Sequence, residues 1–140
     1  MIYLDSTAMA KLVVREPESS ALVEWMNDRP NVPLLTSVVG RIALLRAASE
    51  ESDTSGARAR AFLTSVDVVA LTPQIAEFAE TIAAPLPADA AIHLATAYLL
   101  GPVDLTLCTY DEHLARAAVH LSIDTATPSN VDSPRPGGKS

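Results

Sequence analysis

Two carboxylates in this sequence stand where a cation could be held. Asp5 closes a short apolar run, Ile2-Tyr3-Leu4, and Asp111 follows a second run at residues 105–108 across Thr109-Tyr110. If both runs are parallel strands, both acids lie at carboxyl ends, where open α/β sheets place their sites. Converging carboxylates repel unless a cation joins them, and oxygen-only donors favour Mg²⁺ or Mn²⁺ over zinc. Each acid also has a plainer reading as a helix N-cap. Asp89 is a third candidate, at the start of an apolar helix, where the helix dipole alone would account for an acid. His93, one turn later among Ile92, Leu94 and Ala95, reads as a core or rim residue. Arg46 reads as a partner for one of these acids or as a phosphate contact. Cys108, the single cysteine, reads as a small hydrophobe.

The elements that must position these residues follow from periodicity and punctuation. Short strands are predicted at residues 2–4, 33–36, 66–71 and 105–108, with a possible last one at 122–124. Helices are predicted at 8–14, 21–27, 37–52, 57–66, 73–82, 88–100 and 111–120. Val38, Ile42 and Leu45 form the expected apolar stripe of the third helix, with Arg41 and Arg46 beside it. Residues 52–56 read as a loop, and Gly101-Pro102 as a helix stop. Strands alternating with helices imply a parallel sheet covered on both faces. There is no glycine-rich phosphate loop, since only five glycines exist and two lie near the C-terminus.

Composition bounds the rest. The chain has 140 residues, 49% hydrophobic and 19% charged, so one domain with a packed core is expected and wholesale disorder is excluded. A net charge of -7 argues against a non-specific nucleic-acid coat, though not against a metal-dependent enzyme acting on nucleic acid. One cysteine excludes an internal disulfide and a cysteine-based zinc site. No apolar run is long enough for a membrane span and no signal segment opens the chain, so a cytoplasmic protein is expected. The domain is expected over residues 1–126. Residues 127–140, rich in Pro, Ser and Gly, are expected to be a disordered tail.

The motifs taken in order resemble the PIN-domain ribonucleases, specifically the VapC toxins of toxin–antitoxin pairs. They are Ile2-Tyr3-Leu4-Asp5-Ser6-Thr7-Ala8, then Lys11-Leu12-Val13-Val14-Arg15-Glu16-Pro17-Glu18, then residues 37–47, Ile92-His93-Leu94-Ala95-Thr96-Ala97, and Thr109-Tyr110-Asp111-Glu112-His113-Leu114. The resemblance implies a PIN-like three-layer α/β/α fold with a short parallel sheet of four to five strands. It further implies a cluster of four acids that binds Mg²⁺ or Mn²⁺ and cleaves RNA.

Asp5 and Asp111 match the first and last of those acids. The second falls on Ala43 and the third on Ala90, with Asp89 one residue early; a one-residue shift on a helix turns a side chain by about 100°. The expected catalytic and metal-binding set is therefore Asp5, Asp89 and Asp111, with activity impaired by the alanines at 43 and 90. Ser6, Thr7 and Thr109 are expected to orient the carboxylates, and Arg41, Arg46, Arg58 and Arg60 to contact phosphates. The resemblance also implies a VapB-type antitoxin, a homodimer and a higher assembly with the antitoxin. Leu22, Trp25 and Met26 offer either an apolar groove for that partner or simple core packing. Two other classes stand beside this one. One is a catalytically silent protein that only binds antitoxin or RNA. The other is a receiver-type signalling domain, disfavoured because the only lysines, Lys11 and Lys139, do not fall on a late strand.

Overall fold

A computed structural model describes residues 1–130. Its elements are β1 (Ile2–Leu4), α1 (Ser6–Val13), α2 (Ser19–Asn27), β2 (Leu34–Ser37), α3 (Val38–Glu51), α4 (Asp53–Leu63), β3 (Asp67–Val69), α5 (Pro73–Thr81), α6 (Ala88–Leu100), β4 (Thr106–Cys108), α7 (Glu112–His120) and β5 (Asp124–Ala126). A 3-10 turn, Pro102–Asp104, precedes β4. The five strands form one parallel sheet in the order β3-β2-β1-β4-β5.

Strand alternation sends successive side chains to opposite faces, and the two faces carry separate cores. Ile2, Leu4 and Cys108 pack with Met9, Val13, Leu22, Leu44 and Leu63 from α1 to α4. Tyr3, Leu35 and Leu107 pack with Leu94, Ala97, Leu114 and Ala118 from α6 and α7. This is the expected three-layer α/β/α arrangement. Five helices begin on a side-chain N-cap, supplied by Asp5, Ser37, Ser52, Thr72 and Asp111. Each such cap typically contributes about 1 kcal/mol and fixes where a helix starts.

Several expectations move. The fourth helix starts at Asp53 rather than residue 57, because Ser52 caps it by accepting from Ser55 N at 3.0 Å. The stretch expected as a loop is thus largely helical, with Ser55 and Gly56 buried. The stripe of α3 is Gly40, Leu44 and Ala48, not Val38, Ile42 and Leu45, and Ile42 is 52% exposed. Small residues set that rotation. A Cβ on Gly40 would lie 2.5 Å from Thr36 Oγ1, 2.9 Å from His93 Cε1 and 3.2 Å from Met9 Cε. Apolarity alone does not report such close approach. Leu22 is fully buried, so it fills the core rather than lining a groove, while Trp25 and Met26 pack against that core half-exposed.

The last strand falls two residues later than expected. Of the segment read as a tail, residues 127–130 are bonded to the domain. Thr127 Oγ1 donates to Thr109 O at 2.9 Å, Tyr110 OH donates to Pro128 O at 2.6 Å, and Asn130 Nδ2 donates to Pro17 O at 3.1 Å. The remainder, 131–140, lies outside the described residues. No helix among the described residues is long and apolar enough to cross a membrane.

Candidate active site

The site is set by the pairing of β1 with β4. Leu4 lies opposite Cys108, so the residues that leave the two strands, Asp5 and Thr109, emerge side by side. Asp5 N donates to Cys108 O at 3.3 Å and continues the ladder by one rung. The Asp5 carboxylate is 2% exposed and takes three hydrogen bonds. Its Oδ1 accepts from Thr7 Oγ1 at 2.6 Å and from Ala8 N at 2.9 Å, and its Oδ2 accepts from Thr109 Oγ1 at 2.5 Å. Both readings of Asp5 therefore hold in one place: it caps α1, and it stands at the carboxyl edge of the sheet.

Asp111 is joined to the same corner. Its N–H donates to Thr109 Oγ1 at 3.0 Å, and its own Oδ1 caps α7 by accepting from His113 N at 2.9 Å and Leu114 N at 3.2 Å. Tyr110 N donates to Thr7 Oγ1 at 2.9 Å, closing a ring of bonds between the ends of β1 and β4. Of the expected orienting residues, Thr7 and Thr109 hold Asp5, and Ser6 makes no hydrogen bond to it.

The third acid lies at the surface. Asp89 is exposed and its Oδ1 accepts from Ala90 N at 2.9 Å. Ala90 is the inward residue at 5% exposure, one turn before His93, which is 2% exposed. Ala43 is half-buried on α3, one turn after Gly40. Because Gly40 approaches His93, positions 43 and 90 flank the crossing of α3 and α6. Among the described residues no group of three or more His, Cys, Asp or Glu side chains is placed to hold a metal ion. Asp89 thus does not join Asp5 and Asp111 in a converged triad.

A buried polar pair lies behind the acids, and the sequence did not reveal it. Tyr3 OH and His93 Nδ1 are 2.7 Å apart, while His93 Nε2 and Thr36 Oγ1 have no hydrogen-bond partner among the described residues. Burial lowers the His93 pKa, opposed in part by the charges of Asp5 and Asp89. Burial raises the Tyr3 pKa, and it pushes the Cys108 thiol up to about 12, with Asp5 adding to the effect. Cys108 is therefore an inert core thiol. The only signal in the sequence was a tyrosine in an otherwise aliphatic strand.

Lys11, one turn beyond Thr7, was also missed. Its Nζ lies 4.8 Å from the centroid of the Tyr110 ring and bonds Glu16 at 2.7 Å and Glu18 at 3.0 Å. Burial alone would lower the Lys11 pKa, but the two glutamates reverse it and hold the ammonium charged. Of the four arginines expected near phosphate, Arg46 and Arg60 share a pocket of about 330 Å³ with Leu45, Ser49 and Glu50. Arg41 and Arg58 are exposed outside it, and none of the four pairs with an acid among the described residues.

Comparison with known proteins gives the same outline. The PIN domain family model matches residues 2–120. Ribonuclease VapC46 of Mycobacterium tuberculosis is 38% identical over 133 residues, covering 91% of this chain and 98% of the relative. Ribonuclease VapC47 of the same species is 33% identical over 135 residues, covering 94% and 99%. Among solved structures, VapBC2 from Rickettsia felis, bound to a DNA fragment from its promoter, superposes with a TM-score of 0.71 at 12% identity, covering 90% of this chain and 98% of that one. At that identity the likeness speaks to fold alone.

Proposed function

This chain belongs to the PIN-domain family, and we propose that it is the toxin of a type II toxin–antitoxin pair, an endoribonuclease of the VapC kind. The observation that carries this reading is the match to ribonuclease VapC46 over nearly the full length of both chains. The local geometry supports it, since Thr109 links the Asp5 carboxylate to the backbone of Asp111 at the carboxyl ends of neighbouring strands.

The donors present fit a divalent cation held weakly. Two of the three bonds to Asp5 fall on Oδ1, which leaves a lone pair on Oδ2, and Oδ2 of Asp111 takes no donor from the described residues. Mg²⁺ tolerates such a water-rich site with one or two carboxylates, and Mn²⁺ takes the same hard oxygen donors. Bound there, the cation would lower the pKa of a coordinated water and neutralise charge on a phosphodiester. Thr109 and Thr7 fix the Asp5 carboxylate so that it need not reorganise on binding. Asp89, one residue out of register, is at most an outer partner of the ion. Arg46 and Arg60, which share a pocket with Glu50, would be the residues to meet an RNA phosphate.

With alanine at 43 and 90, cleavage is impaired relative to a site with four acids. The partner is a VapB-type antitoxin, with the chain acting as a homodimer in a larger assembly, in the cytoplasm. A second reading, a silent protein that binds antitoxin or RNA without cutting, is favoured by one observation: all three bonds to Asp5 are those of a helix cap and strand latch. The deciding experiment is cleavage of a structured RNA with Mn²⁺ against the Asp5→Asn variant. Manganese-dependent cutting lost in Asp5→Asn supports the enzyme, and identical traces support the silent protein.

A further inference from the structure

A cleft of about 710 Å³ runs between α7 and the end of α5 with the connector after it. That is the size of a small-molecule site. Its floor is core: Leu94 and Ala117 are 1% and 6% exposed. Ile82, Leu86 and Leu121 form apolar walls. Phe78 adds an aromatic edge held rigid by stacking on Tyr98, at 5.1 Å between centroids and 5° between planes.

Among the described residues, the one charged side chain lining the cleft is Arg116. His113, Arg116 and His120 project from one face of α7 at spacings of three and four residues, and no Asp or Glu lines the cleft. Arg116 bonds only His113 Nδ1, at 3.3 Å, and no carboxylate pairs with it among the described residues. What sets Arg116 apart from the other arginines is its place at the edge of an apolar cleft, where a guanidinium suits a carboxylate or phosphate.

We infer that this cleft binds a small amphipathic anion, a molecule with an apolar body and one carboxylate or phosphate head. The body lies over Leu94 and Ala117, and the head meets Arg116. The inference is independent of the ribonuclease reading, because the cleft uses none of the residues that hold Asp5.

Calorimetry on the full chain tests it with decanoate, decanol and decyltrimethylammonium below their micelle concentrations. Decanoate is expected to bind one per chain, at least tenfold tighter than the cation. Arg116→Gln removes that preference and leaves decanol binding unchanged. Ala84→Trp, at the half-exposed rim, blocks all three ligands while circular dichroism stays native. Equal binding of anion and cation, or an Arg116→Gln variant that keeps its preference, overturns the proposal. Sedimentation is the second arm. If Ala84→Trp turns a dimer into a monomer and decanoate binds the parent chain only where dilution has made it monomeric, a second copy of the chain occupies the cleft and the proposal also falls.

Discussion

Thr109 donates its hydroxyl to Oδ2 of Asp5 across 104 residues of sequence, and the same oxygen accepts the backbone N–H of Asp111. One hydroxyl therefore ties the end of β1, the end of β4 and the start of α7 into a single corner. Thr109→Val keeps the shape and removes the hydroxyl, leaving a buried carboxylate short of a donor. The expected cost is about 1–3 kcal/mol, seen as a melting temperature lowered by several degrees. Thr109→Ser should stay near the parent, and equal melting of Val and Ser variants would show that the bond contributes nothing.

Gly40 and Gly56 should respond oppositely to alanine. At Gly40 the new methyl would meet Thr36 Oγ1 and His93 Cε1 inside 3 Å, in a part of the core that cannot give way. Overpacking of this kind typically costs about 1–3 kcal/mol. At Gly56 the nearest atom is the Ser49 hydroxyl at 3.1 Å, which can rotate aside. There the gain in helix propensity, about 1 kcal/mol, should dominate. Chemical denaturation of the two variants measures both, and a stabilised Gly40→Ala would mean α3 does not pack on α6 as closely as described.

His93 makes stability depend on pH. Burial lowers its pKa in the folded state, so the unfolded chain binds the proton more readily. Stability is then fully present above the unfolded value of about 6.5 and falls as pH drops below it, towards the folded value. Melting at pH 7.5 and 5.5 should show the loss, and His93→Gln should flatten the difference. An unchanged slope in His93→Gln would assign the effect to other groups.

Residues 127–130 are tied to the domain, and truncation on either side of them measures what those ties contribute. Thr127, Pro128 and Asn130 make hydrogen bonds to Thr109, Tyr110 and Pro17. Truncation after Asn130 should leave the melting temperature within about a degree or two, whereas truncation after Ala126 should lower it measurably. If both truncations melt alike, these contacts carry no stability.

Much of this was legible because the signals are local. The order of all twelve helices and strands followed from apolar periodicity, cap residues and Gly101-Pro102. The position of Asp5 and Asp111 at the carboxyl ends of neighbouring strands followed from the order of strands and helices. What stayed hidden depends on contacts between distant segments. Gly40 sets the rotation of α3 by touching Thr36, Met9 and His93, and no helical periodicity reports that. The Tyr3–His93 bond links β1 to α6, and the Lys11–Tyr110 contact links α1 to the end of β4. The start of α4 was misjudged because Ser52 can serve a turn or a cap, and only the packing of Gly56 against α3 decides between them.

We propose that Ala43 and Ala90 stand where a PIN-domain metal site would carry two further carboxylates beside Asp5 and Asp111. These positions flank the crossing of α3 and α6, one turn from Gly40 and from His93. The most direct test is Mn²⁺ titration by calorimetry, with RNA cleavage in parallel, on the parent chain and on Ala43→Glu with Ala90→Asp. The account predicts weak binding and slow cleavage by the parent. It predicts binding at least tenfold tighter and faster cleavage in the double variant, both abolished when Asp5→Asn is added. A parent chain that binds Mn²⁺ as tightly and cuts RNA as fast as the double variant would contradict it.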